Sequence, residues 1–214
     1  MITKEQFIKG KRTDQKLCED GLYIGESMVA VIDGVTAKGK ALFEGKSSGR
    51  YAKDCLLDFL QKHKEAEALS KEELFLAMHE VLRDAAKKQG VKRKEDYPRA
   101  CVIVYNQPEH EVWSYGDCSC RINGQVFTHE KAADKVTSEV RAMVLEHSLL
   151  CGAKEEELQD KDPGRDAINK LLIMQMDFEN QLGPFGYPVL NGISFEPSLI
   201  AVHPVEDGEE VVLS

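Results

Sequence analysis

The sequence has no long hydrophobic run. No stretch of its 214 residues approaches the roughly 20 consecutive apolar positions that a membrane-spanning helix needs. The residues after Met1 carry no apolar signal segment, so secretion is not expected. Basic charge is short as well: 28 Lys and Arg stand against 37 Asp and Glu, for a formal net charge of −9. That balance sets aside nucleic acid and an anionic membrane as main partners. The one basic patch, Lys87-Lys88 with Lys92-Arg93-Lys94, is small and reads as a solvated helix end and loop. Six cysteines (Cys18, Cys55, Cys101, Cys118, Cys120, Cys151) form no C-x-x-C pair and no disulfide framework, so reduced thiols in the cytoplasm are expected. Cys118 and Cys120 are separated by one residue, which is not a usual zinc-ligand spacing. A phosphate-binding loop is missing too. Gly45-Lys46-Ser47 has the tail of one, but its first glycine would fall on Lys40.

What is present is a soluble composition, 42% hydrophobic and 30% charged, with no internal repeat and no linker, so a single domain over 1–214 is expected. Near its start lies an acidic hairpin. Leu22-Tyr23-Ile24 and Met28 to Ile32 are short apolar runs around a Gly25-Glu26-Ser27 turn signal, with Glu19-Asp20 before them and Asp33-Gly34 after. A turn on Gly25-Glu26 leaves Asp20 and Asp33 about two positions out of line, and one on Glu26-Ser27 sets Asp20 directly opposite Asp33. Opposed side chains in such a pair lie about 4.5–5.5 Å apart, and like charges there are destabilising. Close carboxylates call for a neutralising cation, and a hard divalent metal with oxygen ligands is the simplest one.

Further along, Ser47-Ser48 cap a helix whose apolar residues at 52, 55, 56, 59 and 60 form one stripe. Ser70 with Glu73 is a capping box that opens a helix to Gln89, stopped by Gly90 and buried through Leu74, Met78, Val81, Leu82 and Ala85. Strands are expected at 100–105, 111–115, 118–122 and 125–127, the last two joined by Asn123-Gly124. Helices follow from Thr137 to Leu150 and from Pro163 through Met176. A final hairpin is expected from strands at 199–203 and 210–213 around Asp207-Gly208. Antiparallel hairpins with helices grouped between them define an α+β protein on a two-sheet core.

Four pieces in order resemble the metal-dependent protein phosphatase family, the protein phosphatase 2C (PPM) type. They are Cys18-Glu19-Asp20, Val31-Ile32-Asp33-Gly34, Gly49-Arg50-Tyr51-Ala52, and Trp113-Ser114-Tyr115-Gly116-Asp117-Cys118, the last standing where that family has G-D-S-R. The resemblance implies an α-β-β-α sandwich of two antiparallel sheets flanked by helices. It also implies a manganese or magnesium pair that activates a water for attack on a phosphoryl group. In that scheme Asp33 bridges the two metals, Glu19 and the Gly34 carbonyl hold one of them, Asp20 supports the shell, and Asp117 is an accessory ligand. The family's phosphate-binding arginine would fall at Gln15, with Arg12 or Lys16 as substitutes. Where the family continues into S-D-G and D-N, this sequence runs Val211-Val212-Leu213-Ser214, so a domain incomplete at its end, with one metal half-site retained, is expected. The implied function is a metal-dependent protein serine/threonine phosphatase acting on phosphoproteins. The alternative is a non-catalytic pseudophosphatase that binds phosphoproteins or a partner domain.

Overall fold

A computed structural model describes residues 2–214 apart from Arg12, Ala37, Lys38 and Lys40 and the side chain of Gln159. The chain divides into two compact units, one of residues 1–129 and 188–214, the other of residues 130–187.

The first unit is built on a five-stranded antiparallel sheet in the order β1-β2-β3-β4-β7: β1 (Asp20–Ile24), β2 (Met28–Gly34), β3 (Ala100–Asn106), β4 (Glu111–Tyr115) and β7 (Ala201–Pro204). A three-stranded sheet, β6-β5-β8, joins β5 (Cys120–Ile122), β6 (Gln125–Phe127) and β8 (Val211–Leu213). The two-residue side-chain period gives the large sheet two distinct faces. Met28, Ala30 and Ile32 of β2 and Ala100, Val102 and Val104 of β3 point to one side, where they bury helices α1 (Ser48–Lys62) and α2 (Lys71–Lys88). Cys101, Ile103 and Val112 point to the other side and are equally buried, and β8 lies against β3. Phe127 of β6 packs at a tilt against the His203 ring of β7, with centroids 4.3 Å apart, so His203 is a packing residue between the sheets.

Both helices start as their caps dictate. Ser47 Oγ accepts from the Arg50 amide, and Ser70 and Glu73 form a reciprocal capping box. Leu56 and Leu82 are fully buried, with Phe59 and Val81 packed at the edge of the same core. The buried face of α2 is turned slightly from the expected one, because Phe75 meets the Tyr115 ring (centroids 5.7 Å apart) and His79 meets Phe195.

Two strand expectations need correction. β7 and β8 do not form a hairpin. Gly208 does make a turn at φ 86°, but the Val205 amide bonds the His110 carbonyl at 2.8 Å beside β4, whereas Asn123 and Ser119 take the backbone of Glu210 and Ser214 onto β5. Each strand therefore joins a different sheet, because β4 and β5 both offered an unpaired edge. The strand expected from Cys118 begins only at Cys120, and residues 116–119 carry the chain from one sheet to the other.

The second unit is helical: α3 (Ala132–Leu150), α4 (Glu155–Asp160) and α5 (Pro163–Met174), with α3 against α5. α3 begins five residues before Thr137, whose hydroxyl bonds back to the Ala133 carbonyl at 3.0 Å inside the helix rather than capping it. Among the described residues, no helix is long and apolar enough to cross a membrane.

Candidate metal and phosphate site

The acidic end of the first hairpin follows from its turn. The Gly25 amide bonds the Met28 carbonyl at 2.8 Å, and the buried Glu67 carboxylate accepts from the Ser27 amide (2.7 Å), the Ser27 hydroxyl (2.9 Å) and the Tyr23 hydroxyl (2.6 Å). This clasp places the turn on Glu26-Ser27, and of the two possible registers the one formed sets Asp20 opposite Asp33. On the other side of β2, Asp33 stands opposite Cys101. Asp20, Asp33 and Cys101 therefore form a row across three strands, on the face away from α1 and α2.

Asp33 is half-buried, and its carboxyl is pushed up to about 6. Burial is the largest cause; the charges of Asp20 and Asp117 follow, Lys11 opposes them, and a hydrogen bond shared with Asp20 adds to the rise. Asp117 reaches this group from the crossing after β4. Gly116 makes that approach possible: it has φ 133°, and a Cβ there would lie 2.3 Å from the Cys101 Cβ, so no other residue fits. Cys18 donates its thiol to the far side of Asp20, with Sγ to Oδ2 at 3.4 Å.

The pair opens into a cleft of about 370 Å³, whose rim carries Lys11, Lys46 and Arg50. Lys46 lies 2.9 Å from Asp54, and Arg50 stands at 4.0 Å from the same carboxylate. A larger hollow of about 990 Å³ lies at the turn end of the hairpin, beside Glu67. Its carboxylate is already engaged by Tyr23 and Ser27, which leaves the smaller cleft as the chemically equipped one.

The remaining expected residues lie as follows. Glu19 is held by two hydroxyls: its Oε1 accepts from Ser47 at 2.5 Å and its Oε2 from Thr36 at 2.8 Å. Gly34 abuts Gly49, and a Cβ on Gly49 would come 2.5 Å from the Gly34 carbonyl oxygen. Gln15 is engaged with the backbone of Gly10, through 2.7 Å and 3.4 Å bonds. Arg12 lies outside the described residues. The structure thus sets Asp20 against Asp33, with Asp117 acting on Asp33 at charge-charge range, and it sets Glu19 and Gly34 on neighbouring partners. Sequence reasoning did not single out Cys18, Lys46 or Arg50 for this cleft. The Ser47 cap was the available signal, since it fixes where the first turn of α1 meets the hairpin end.

For a metal, the donor chemistry fits and the shell is incomplete. The oxygens of Asp20 and Asp33 suit a hard divalent cation, and the raised Asp33 carboxyl marks the charge such an ion would relieve. Among the described residues, however, no three His, Cys, Asp or Glu side chains converge to enclose an ion. Asp117 acts on Asp33 at charge-charge range.

No family model and no curated protein matches the sequence. The fold does have solved counterparts. The Mycobacterium tuberculosis serine/threonine phosphatase PstP/Ppp aligns with a TM-score of 0.50 and 14% identity, over 91% of this chain and 70% of that one. The catalytic domain of PstP in complex with 2 manganese ions gives 0.49 and 13%, over 91% and 69%. The S. agalactiae serine/threonine phosphatase gives 0.47 and 12%, over 95% and 74%. The chain has the protein phosphatase 2C-type (PPM-type) fold, an α+β arrangement with two antiparallel sheets.

Proposed function

We propose that this chain is a metal-dependent phosphomonoesterase acting on phosphoserine and phosphothreonine in proteins, in the cytoplasm. The observation that carries the reading is the Asp20–Asp33 pair, set face to face at the mouth of a cleft with cationic groups on its rim. Manganese or magnesium, when bound, supplies a Lewis acid and a water of lowered pKa. We assign Asp33 and Asp20 as the principal ligands, with Asp117 as accessory. Glu19 and the Gly34 carbonyl would complete the set, Glu19 giving up its Ser47 and Thr36 hydroxyls. Lys11, Lys46 and Arg50 offer positive charge to phosphoryl oxygens at the rim, and Arg12 belongs to the same role. The guanidinium groups bind phosphate as a fork, the lysines as point charges. The six cysteines, none of them in a disulfide, suit a reducing compartment.

One observation favours the second reading, a non-catalytic phosphoprotein-binding module: both Glu19 oxygens are engaged by hydroxyls. Turnover of a phosphothreonine peptide in manganese separates the two. The expected result is slow, manganese-dependent release of phosphate that disappears in Asp33→Asn while the fold is kept. Peptide binding with no turnover at any manganese concentration would establish the second reading instead.

A further inference from the structure

Asp54 of α1 gathers three cations on one carboxylate. Its Oδ2 takes Lys46 Nζ at 2.9 Å and faces Arg50 Nε at 4.0 Å, and its Oδ1 takes Lys53 Nζ at 2.6 Å. All four side chains are half-buried. Among the described residues, Lys46 and Arg50 line the cleft of Asp20 and Asp33, whereas Asp54 and Lys53 do not. Each partner is anchored. Lys46 closes a turn through paired backbone bonds with Phe43, at 2.9 Å each. Arg50 stands one helical turn before Asp54, so both project from one side of α1. The Lys53 stem lies along β1, where a Cβ on Gly21 would come 2.9 Å from its Cγ and Cδ. A line of contacts thus runs from the residue beside Asp20, through Lys53 and Asp54, to the two cations at the rim.

We infer that Asp54 is the positioning residue of the phosphate site, holding Lys46 and Arg50 in the orientation in which they take phosphoryl oxygens, a role that rests on the phosphatase reading above. One bond to Asp54 leaves two of the three Lys46 ammonium hydrogens for a ligand. The carboxylate meets Arg50 at Nε, which leaves the terminal nitrogens as a fork. Two opposed effects follow from removing it. Asp54 is an anion near an anion's site, so its charge alone opposes phosphate, but across water that repulsion changes affinity only a few-fold. A lysine or arginine released from its partner regains rotamer freedom that costs roughly tenfold in affinity to lose again on binding. With two such side chains the second effect is the larger. Phosphate should therefore bind less tightly without Asp54, although the rim becomes more positive.

The test is Asp54→Asn in the full chain, read by phosphorus NMR titration of inorganic phosphate in magnesium and by turnover of the phosphothreonine peptide in manganese. Phosphate affinity should fall about tenfold and KM should rise equally, while kcat and manganese affinity stay near native. Asp54→Ala, with the better helix former, should give the same sign. Equal or tighter phosphate binding by the two variants would overturn the positioning role alone and leave Asp54 a screening charge. A parallel fall in manganese affinity would overturn it in favour of a structural role. A native chain that neither binds phosphate nor turns over the peptide would overturn the phosphatase reading and this role with it. Phosphate binding without turnover, weakened in both variants, would uphold the role in a binding module.

Discussion

Gly34, the last residue of β2, and Gly49, the second residue of α1, meet backbone to backbone: a Cβ on Gly34 would lie 2.1 Å from the Gly49 carbonyl oxygen. Neither contact atom is a flexible side chain, so neither can yield cheaply. Gly34→Ala and Gly49→Ala should each lower stability by roughly 3 kcal/mol or more, as overpacking at a fixed backbone does. Urea unfolding of the two variants would measure this. Because the contact sets α1 against the acidic hairpin end, manganese affinity should fall in any variant that still folds.

Asp33 gives a pH signature. Its folded carboxyl sits at about 6, above the ordinary value of 3.8, so the native state holds a proton that the unfolded chain has released. Stability contributed by that proton is complete below the unfolded value and is lost as pH rises through about 6. Asp33→Asn should therefore match the native protein near pH 3 and exceed it by roughly 1–3 kcal/mol at neutral pH. Equal urea midpoints at both pH values would show that the aspartate pair carries no strain.

Manganese should relieve the same repulsion. At neutral pH, saturating manganese should raise the melting temperature of the native chain, by the mass-action rule for a ligand of the folded state. The rise should vanish on chelation and be absent in Asp33→Asn. Calorimetry showing equal affinity for both proteins would reduce the acidic hairpin to a solvated surface.

Glu67 behaves in the opposite sense. Burial pushes its carboxyl up, but hydrogen bonds from Tyr23 and Ser27 outweigh this and hold it below the usual range. Its stabilisation is present above the unfolded value of 4.5 and is lost as pH falls through the lowered one. Glu67→Gln, which keeps the shape but weakens charge-assisted acceptance, should cost about 1.5–3 kcal/mol at neutral pH. Thermal melts at pH 7 and in strong acid should show the difference disappearing.

Local chemistry was readable in the sequence and distant pairing was not. The Ser70–Glu73 box, the Asn123-Gly124 turn and the apolar run of β2 each involve neighbours within a few residues, and the structure forms all three. The hairpin could be narrowed to two registers, but the choice between them lies with Glu67, more than forty residues away. Two apolar runs around Asp207-Gly208 look like a hairpin to any local rule. Which sheet edge each joins depends on β4 and β5, which no short window contains. The cleft's rim was hidden for the same reason: Lys46 and Arg50 line the same cleft as Asp33 only because the cap of α1 brings its first turn to the hairpin end.

The division of β7 and β8 between two sheets has a kinetic side. Strands β1 to β4 pair through contacts that residues 130–187 do not interrupt, and β5 with β6 is a local hairpin. Residues 201–214 alone supply the last strand of both sheets, and they can do so only after the whole helical unit has been bridged. Such distant pairings form late, because their loop entropy is lost before any contact rewards it. The segment therefore acts as a clasp that closes two sheets in one event, and until it closes, β4 and β5 both present raw edges to other unfinished chains.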